Sequence, residues 1–264
     1  MRQRNLMGKV FTTEITSDRL PSDNPLHQRL LKAYVAVEDY INGVVLEVGC
    51  GEGRGIELVM NKAESYTAID KIEEVIKRLR IKFPEGKFLS GNIPPFTDLA
   101  SDSFDTVISF QVIEHIEDDS FFLQEINRVL KPGGKAYLTT PNRVMSLTRN
   151  PWHIREYTSD ELLSLARQHF TEAEMKGITG DAKVMAYYEK NKKSVARIAR
   201  FDIFDLQHKL PAGILKIPYE LLNRWNRNKL KDADDQLVAG ITHENYPVTD
   251  DAASALDLFL IVKK

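Results

Sequence analysis

The sequence predicts an α/β fold: a Rossmann-like, doubly wound, seven-stranded sheet with a helical insertion before the last strand. Three observations carry this prediction. Short apolar runs rich in Val and Ile alternate with amphipathic stretches between residues 44 and 140, the pattern of strands buried on both faces by crossover helices. The first run leads into Gly49-Cys-Gly51-Glu-Gly53, at the point where such a sheet places its ligand-binding turn. The run over 255–262 is again strand-sized and lies beyond a basic, aromatic stretch.

Each element has its own signal. Ser22-Asp-Asn-Pro25 is a helix-starting cluster, and Leu30, Leu31, Tyr34, Val35, Val37 and Ile41 follow at largely helical spacing, so a leading helix covers 26–41. Residues 44–48 form a strand that runs into the glycine turn, after which Ile56, Leu58, Val59 and Met60 open a helix. The unit recurs: a strand over 66–69 ends at Asp70, and Ile72, Val75, Ile76, Leu79 and Phe83 mark one face of the next helix. Residues 87–89 and 106–110 read as the third and fourth strands. Phe122, Leu123, Ile126, Val129 and Leu130 make another helical face, which Lys131-Pro-Gly-Gly134 ends before a fifth strand over 136–140.

Beyond Pro141 come a helix over 159–169 and a strand-like 173–177. Residues 183–232 hold twelve Lys and Arg against five Asp and Glu, a net charge of +7. Val195, Ile198, Phe201, Phe204, Leu215, Tyr219, Leu222 and Trp225 are interleaved with those charges, which predicts amphipathic helices. The expected organisation is an N-terminal helical segment over 1–42, a main domain over 43–182 and 241–264, and a helical insertion over 183–240 able to serve as a substrate lid.

Of the 264 residues, 42% are apolar and 28% charged, with 36 Lys and Arg against 38 Asp and Glu. That composition supports a substantial core and is too balanced for a general attraction to polyanions. A protein that coats nucleic acid is disfavoured. Cys50 is the single cysteine, which excludes an intrachain disulfide framework and a cysteine-only zinc cluster. The apolar run over 258–262 is far below the roughly 18 residues that span a bilayer, and Arg2, Arg4 and Lys9 precede no apolar signal core. A cytoplasmic protein without a transmembrane segment is expected.

In a parallel sheet the ligand sits beyond the carboxyl ends of the strands. Gly49, Gly51 and Gly53 let a ligand approach the backbone, and the following helix N-terminus offers N–H groups. Asp70, nineteen residues after Gly51, ends the second strand where a carboxylate can accept two ribose hydroxyls. Gly91-Asn92-Ile93 ends the third, where an amide and an apolar side chain can meet an adenine. A dinucleotide fingerprint needs G-x-G-x-x-G, yet the sixth position is Arg54 counted from Gly49 and Ile56 counted from Gly51, so the NAD reading weakens.

In Leu46-Glu-Val-Gly-Cys-Gly-Glu-Gly53, Ile69-Asp70, Gly91-Asn92, Phe104-Asp105 through Glu114-His115-Ile116, and Leu130-Lys-Pro-Gly-Gly134, the chain resembles the class I S-adenosylmethionine-dependent methyltransferases. The resemblance runs over about residues 40–177 and the last strand. It is greatest to the small-molecule, type 11-like group with Ile-Glu-His-Ile after strand four. It implies an antiparallel final hairpin and S-adenosyl-L-methionine as cofactor. It also implies a binding set: Glu47, Gly49, Gly51 and Gly53 for the methionine part, Asp70 for the ribose with Lys71 beside it, Asn92 and Ile93 for adenine, and Gln111 and Val112 near the transferable methyl. Asn92 stands where the family commonly has Asp, and its amide oxygen can accept the same hydrogen bond.

A sulfonium methyl is already activated, so alignment of reacting atoms about 3 Å apart and exclusion of water dominate the chemistry. A hydroxyl nucleophile gains from a base, and His115 beside Glu114 is the candidate, since an unperturbed imidazole titrates near neutrality. The alternative is that His115 caps the helix starting there or packs against the cofactor. His153 completes the catalytic set of His115, Glu114 and His153. With Gln111 these residues are similar to the Glu-x-x-Glu-His metal site of some methyltransferases. Gln111 replaces the first carboxylate, however, and no metal is expected.

Pro151-Trp-His-Ile-Arg-Glu-Tyr157 suits the grip of a polar substrate, or else is a surface Arg155–Glu156 pair with Trp152 as a core plug. The expected reaction is methyl transfer to a hydroxyl or amine of a small-molecule or lipid-linked acceptor. The alternatives are an RNA methyltransferase and a non-catalytic S-adenosylmethionine-binding module. Against the RNA reading stand the lack of an Asn-Pro-Pro-Tyr tetrapeptide after strand four and the restriction of basic character to the insertion.

Overall fold

A computed structural model describes residues 20–200 and 209–264. Phe201 and Phe204, and the basic residues of the N-terminus, lie outside the described residues. The chain falls into two compact units. Among the described residues one takes 30–146, 153–180 and 246–264, and the other takes 20–29, 147–152 and 181–245.

The larger unit is built on a sheet of β1 (Val44–Val48), β2 (Ser65–Asp70), β3 (Lys87–Ser90), β4 (Phe104–Phe110), β5 (Leu130–Pro141), β6 (Glu172–Ile178), β7 (Val248–Thr249) and β8 (Asp257–Lys263). The strand order is β3-β2-β1-β4-β5-β8-β6-β7. Strands β1 to β5 are parallel, and β8 runs antiparallel to both β5 and β6. The sheet therefore has eight strands where seven are expected. The addition is β7, two residues paired with Gly177 and Ile178, too short to show a period.

Val45, Leu46, Val107, Ile108, Ala136 and Leu138 are fully buried, as strands covered on both faces require. The order reverses between β1 and β4, so their carboxyl ends flank the crevice where this topology holds ligands.

Around the sheet run α1 (Asn24–Val37), α2 (Ile56–Met60), α3 (Glu73–Lys82), α4 (Asp119–Val129) and α5 (Ser159–Ala166). Asp118 caps α4 by accepting from the Phe121 amide, so the capping role considered for His115 falls to a residue three positions on. His115 lies instead in a short 3-10 turn, Ile113–His115. Helix α5 starts in a capping box of Thr158 and Glu161 and ends at Ala166, short of His169. Strand β5 begins earlier than its apolar run, because Leu130 already pairs with Phe104 before a register shift. Gly133, at φ +79°, absorbs the irregularity at little steric cost.

The smaller unit holds α6 (Ala182–Ala199), α7 (Ala212–Ala233) and α8 (Asp235–Ala239). Buried Asp23 accepts from both Arg224 Nη atoms, at 2.8 and 3.1 Å, and from Arg227 at 3.1 Å. Asn24 donates to the Val238 and Ile241 carbonyls. Residues 20–29 of the N-terminal segment share this unit with the insertion. Among the described residues no helix is long and apolar enough to cross a membrane.

Candidate active site

The glycine loop leaves β1 with φ +78°, +48° and +79° at Gly49, Gly51 and Gly53, a conformation that disfavours any side chain. A Cβ at Gly49 would come within 2.4 Å of Val112 and one at Gly53 within 2.7 Å of Leu79, while one at Gly51 would meet nothing within 4 Å. Two glycines serve close packing, and the third presents bare backbone to open space. Asp70, at the end of β2, braces this loop. Its Oδ2 accepts from the Gly51 amide and its Oδ1 from the Ile72 amide, both at 2.9 Å, which leaves each oxygen a further acceptor position.

The other cofactor candidates cluster at the neighbouring strand ends. Gly91 donates to the Asp70 carbonyl, Asn92 and Lys71 are exposed, and Ile93 is half-buried against the core. Gln111 takes φ +58°, an uncommon value for a side-chain residue. Its amide donates to the Thr139 carbonyl and its side chain to Thr139 Oγ1. Val112 packs on Gly49 and accepts the His115 amide at 2.9 Å.

Glu47 is the most deeply buried of the polar cofactor candidates. The side chain is buried, with Oε1 accepting from Tyr34 at 2.7 Å and Oε2 from Tyr66 in a short bond. Burial raises its pKa from 4.5 to about 7 against the pull of the Tyr66 and Tyr34 donors, with the Asp70 charge adding to the rise. Its position is a supporting one within the core beside the loop. The two tyrosines escape a sequence reading because aromatics on apolar faces pass as core. Strand register supplies a clue for one: Glu47 lies opposite Ala68, so Tyr66 is its diagonal neighbour.

The turn after β4 meets the loop after β5. Buried Glu114 accepts from Thr140 Oγ1 at 2.9 Å, and its carbonyl accepts from the Ile154 and Arg155 amides. The His115 and His153 rings thereby meet edge to face, 5.0 Å between centres. His153 Nδ1 lies 2.6 Å from Glu156 Oε1, a partner that sequence reasoning assigned to Arg155. Arg155 binds Asp119 instead, at 3.0 Å, and Asp119 also accepts from the buried Tyr157 hydroxyl at 2.8 Å. One donor atom each from Glu114, His115 and His153 lies within 4.8 Å of the others. Such a set can move a proton or hold a divalent ion.

Residues 46–138 match the family model described as a methyltransferase domain. Over these residues the chain is similar to a methyltransferase domain. The chain is 38% identical over 126 residues to a probable S-adenosylmethionine-dependent methyltransferase of Mycolicibacterium smegmatis, covering 46% of this chain and 49% of that one. It is 37% identical over 103 residues to a ubiquinone biosynthesis O-methyltransferase of Xanthomonas euvesicatoria, covering 38% and 43% of the two chains. The chain thus spans about half the length of the curated relatives it matches.

A solved S-adenosylmethionine-dependent methyltransferase from Thermotoga maritima superposes with a TM-score of 0.56 at 16% identity, covering 90% of this chain and 91% of that one. The [4+2]-cyclase SpnF superposes at 0.53 and 16%, covering 89% and 81%. At these identities the likeness shows the fold alone. The Mycolicibacterium relative is by name dependent on S-adenosyl-L-methionine. The open backbone at Gly51 and the spare acceptor positions of Asp70 fit it.

Proposed function

We propose that the protein is a methyltransferase acting on a hydroxyl or amine of a small-molecule or lipid-linked acceptor, with His115 as general base. The observation that supports this reading is the continuity between the two halves of the site. Val112 packs on Gly49 of the Asp70-braced loop and accepts the His115 amide, which puts the imidazoles beside the cofactor-binding strand ends.

When bound, S-adenosylmethionine supplies a sulfonium methyl that needs no further activation. Gly51 offers backbone to the methionine part, Asp70 accepts the ribose hydroxyls, and Asn92 and Ile93 receive the adenine. Gln111 and Val112 line the side nearest His115. His115 takes the acceptor proton onto a ring nitrogen. His153, oriented by Glu156, and Glu114, which fixes the loop after β5, are positioning residues.

Calorimetric titration with S-adenosylmethionine and, separately, with NAD tests the cofactor assignment; preference for NAD refutes it. Asp70→Ala removes charge-assisted bonds worth about 1.5–3 kcal/mol each, so affinity falls at least about ten-fold. Unchanged affinity rules out the ribose role. His115→Ala keeps the cofactor affinity and slows S-adenosylhomocysteine release, assayed over a panel of hydroxyl and amine acceptors, by roughly 10²–10⁴-fold. Parental rates at every pH remove His115 as the base. A salt-sensitive gel shift with RNA favours the nucleic-acid reading instead.

A further inference from the structure

Helix α7 wears its apolar side outward. Ile214, Ile217, Leu221 and Trp225 recur at intervals of three and four residues and are 61%, 70%, 67% and 51% exposed, with Leu222 beside them. The buried side holds Leu230 together with polar groups. Asn226 accepts from Ser194 at 2.6 Å and donates to Asn191 at 2.7 Å, while Arg224 and Arg227 reach Asp23. A surface helix of a globular protein shows the reverse pattern, and a contiguous exposed apolar stripe marks an interaction surface.

The charge of the segment that carries the stripe indicates what covers it. Residues 183–232 carry a net +7 in a chain whose total is −2, so positive charge is gathered in this segment. Lys229 lies 4.9 Å from the centre of the Trp225 ring, an amphipathic pair suited to a boundary between water and hydrocarbon.

We infer that α7 lies flat on an anionic lipid bilayer, with Ile214, Ile217, Leu221 and Trp225 in the headgroup boundary and the neighbouring lysines and arginines on lipid phosphates. A helix with one polar side does not cross the bilayer, in keeping with its failure to qualify as a span. The inference is independent of methyl transfer.

Co-sedimentation of the full chain with vesicles of phosphatidylglycerol and phosphatidylcholine, and with phosphatidylcholine alone, tests it. The expected result is pelleting on the anionic vesicles that weakens with salt, together with a blue shift of fluorescence that Trp225→Phe abolishes. The double variant Ile217→Asp with Leu221→Asp lowers vesicle affinity at least about ten-fold. Both positions are exposed, so its melting temperature and cofactor affinity stay parental. No pelleting, equal pelleting on neutral vesicles, or parental pelleting by the double variant overturns the inference. A dimer in solution that the double variant dissociates overturns it too, by assigning the stripe to a second copy of the chain.

Discussion

At Glu47 two tyrosine hydroxyls offset only part of what burial removes. A carboxyl raised from 4.5 to about 7 on folding contributes its full stability below the lower value and loses it as pH rises through the upper one. The unfolding free energy from denaturant titration should therefore decline between pH 4.5 and about 7, by up to about 3 kcal/mol from this group. Glu47→Gln removes that part of the slope, and a variant with the parental slope refutes the account. At this scale the sequence shows the residues that end strands, since Gly51, Asp70 and Asn92 announce themselves by position. It hides Tyr34 and Tyr66, whose role rests on a hydroxyl at the tip of a ring that is otherwise ordinary core.

Helix α4 holds the loop that follows β3. Glu125 accepts the Phe96 amide at 2.8 Å, and Arg128 donates to the Phe96 and Leu99 carbonyls while bound to Glu125. Arg128 holds the Glu125 carboxyl below its ordinary range, helped by that amide. Glu125→Ala leaves the Arg128 charge without its carboxylate and a buried amide without its acceptor, and about 2–3 kcal/mol of stability should go with it. A thermal unfolding midpoint equal to the parent's would refute this. Parallel strands and long amphipathic helices were legible because their periods extend over many residues. The start of β5 was not, because Pro132 and two glycines read as a stop whereas Leu130 pairs ahead of them. The meeting of His115 with His153 was half legible: both residues stood out, but the Glu114 carbonyl that joins their segments has no sequence signature.

The two units each draw on distant parts of the chain. The basic character of the insertion is plain in the sequence, yet its anchor, Asp23, lies 201 residues from Arg224, a separation that no local pattern bridges. Asp23→Ala leaves two guanidinium groups without their buried acceptor, which should cost the smaller unit about 3 kcal/mol. Hydrogen exchange would show faster exchange in α7 with β1 to β5 unchanged, and parental protection of α7 would sink the prediction. The place of β8 has a consequence for how the molecule is made. Strand β2, which ends at Asp70, can pair as it leaves the ribosome beside β1, the strand that leads into Gly51. Strand β6 has no such neighbour, because the strand that lies between it and β5 is translated after the whole of 181–245. Through that interval β5 and β6 each show an open strand edge. The glycine loop is thus complete well before the sheet that supports it closes, and the closing strand arrives between two strands already made.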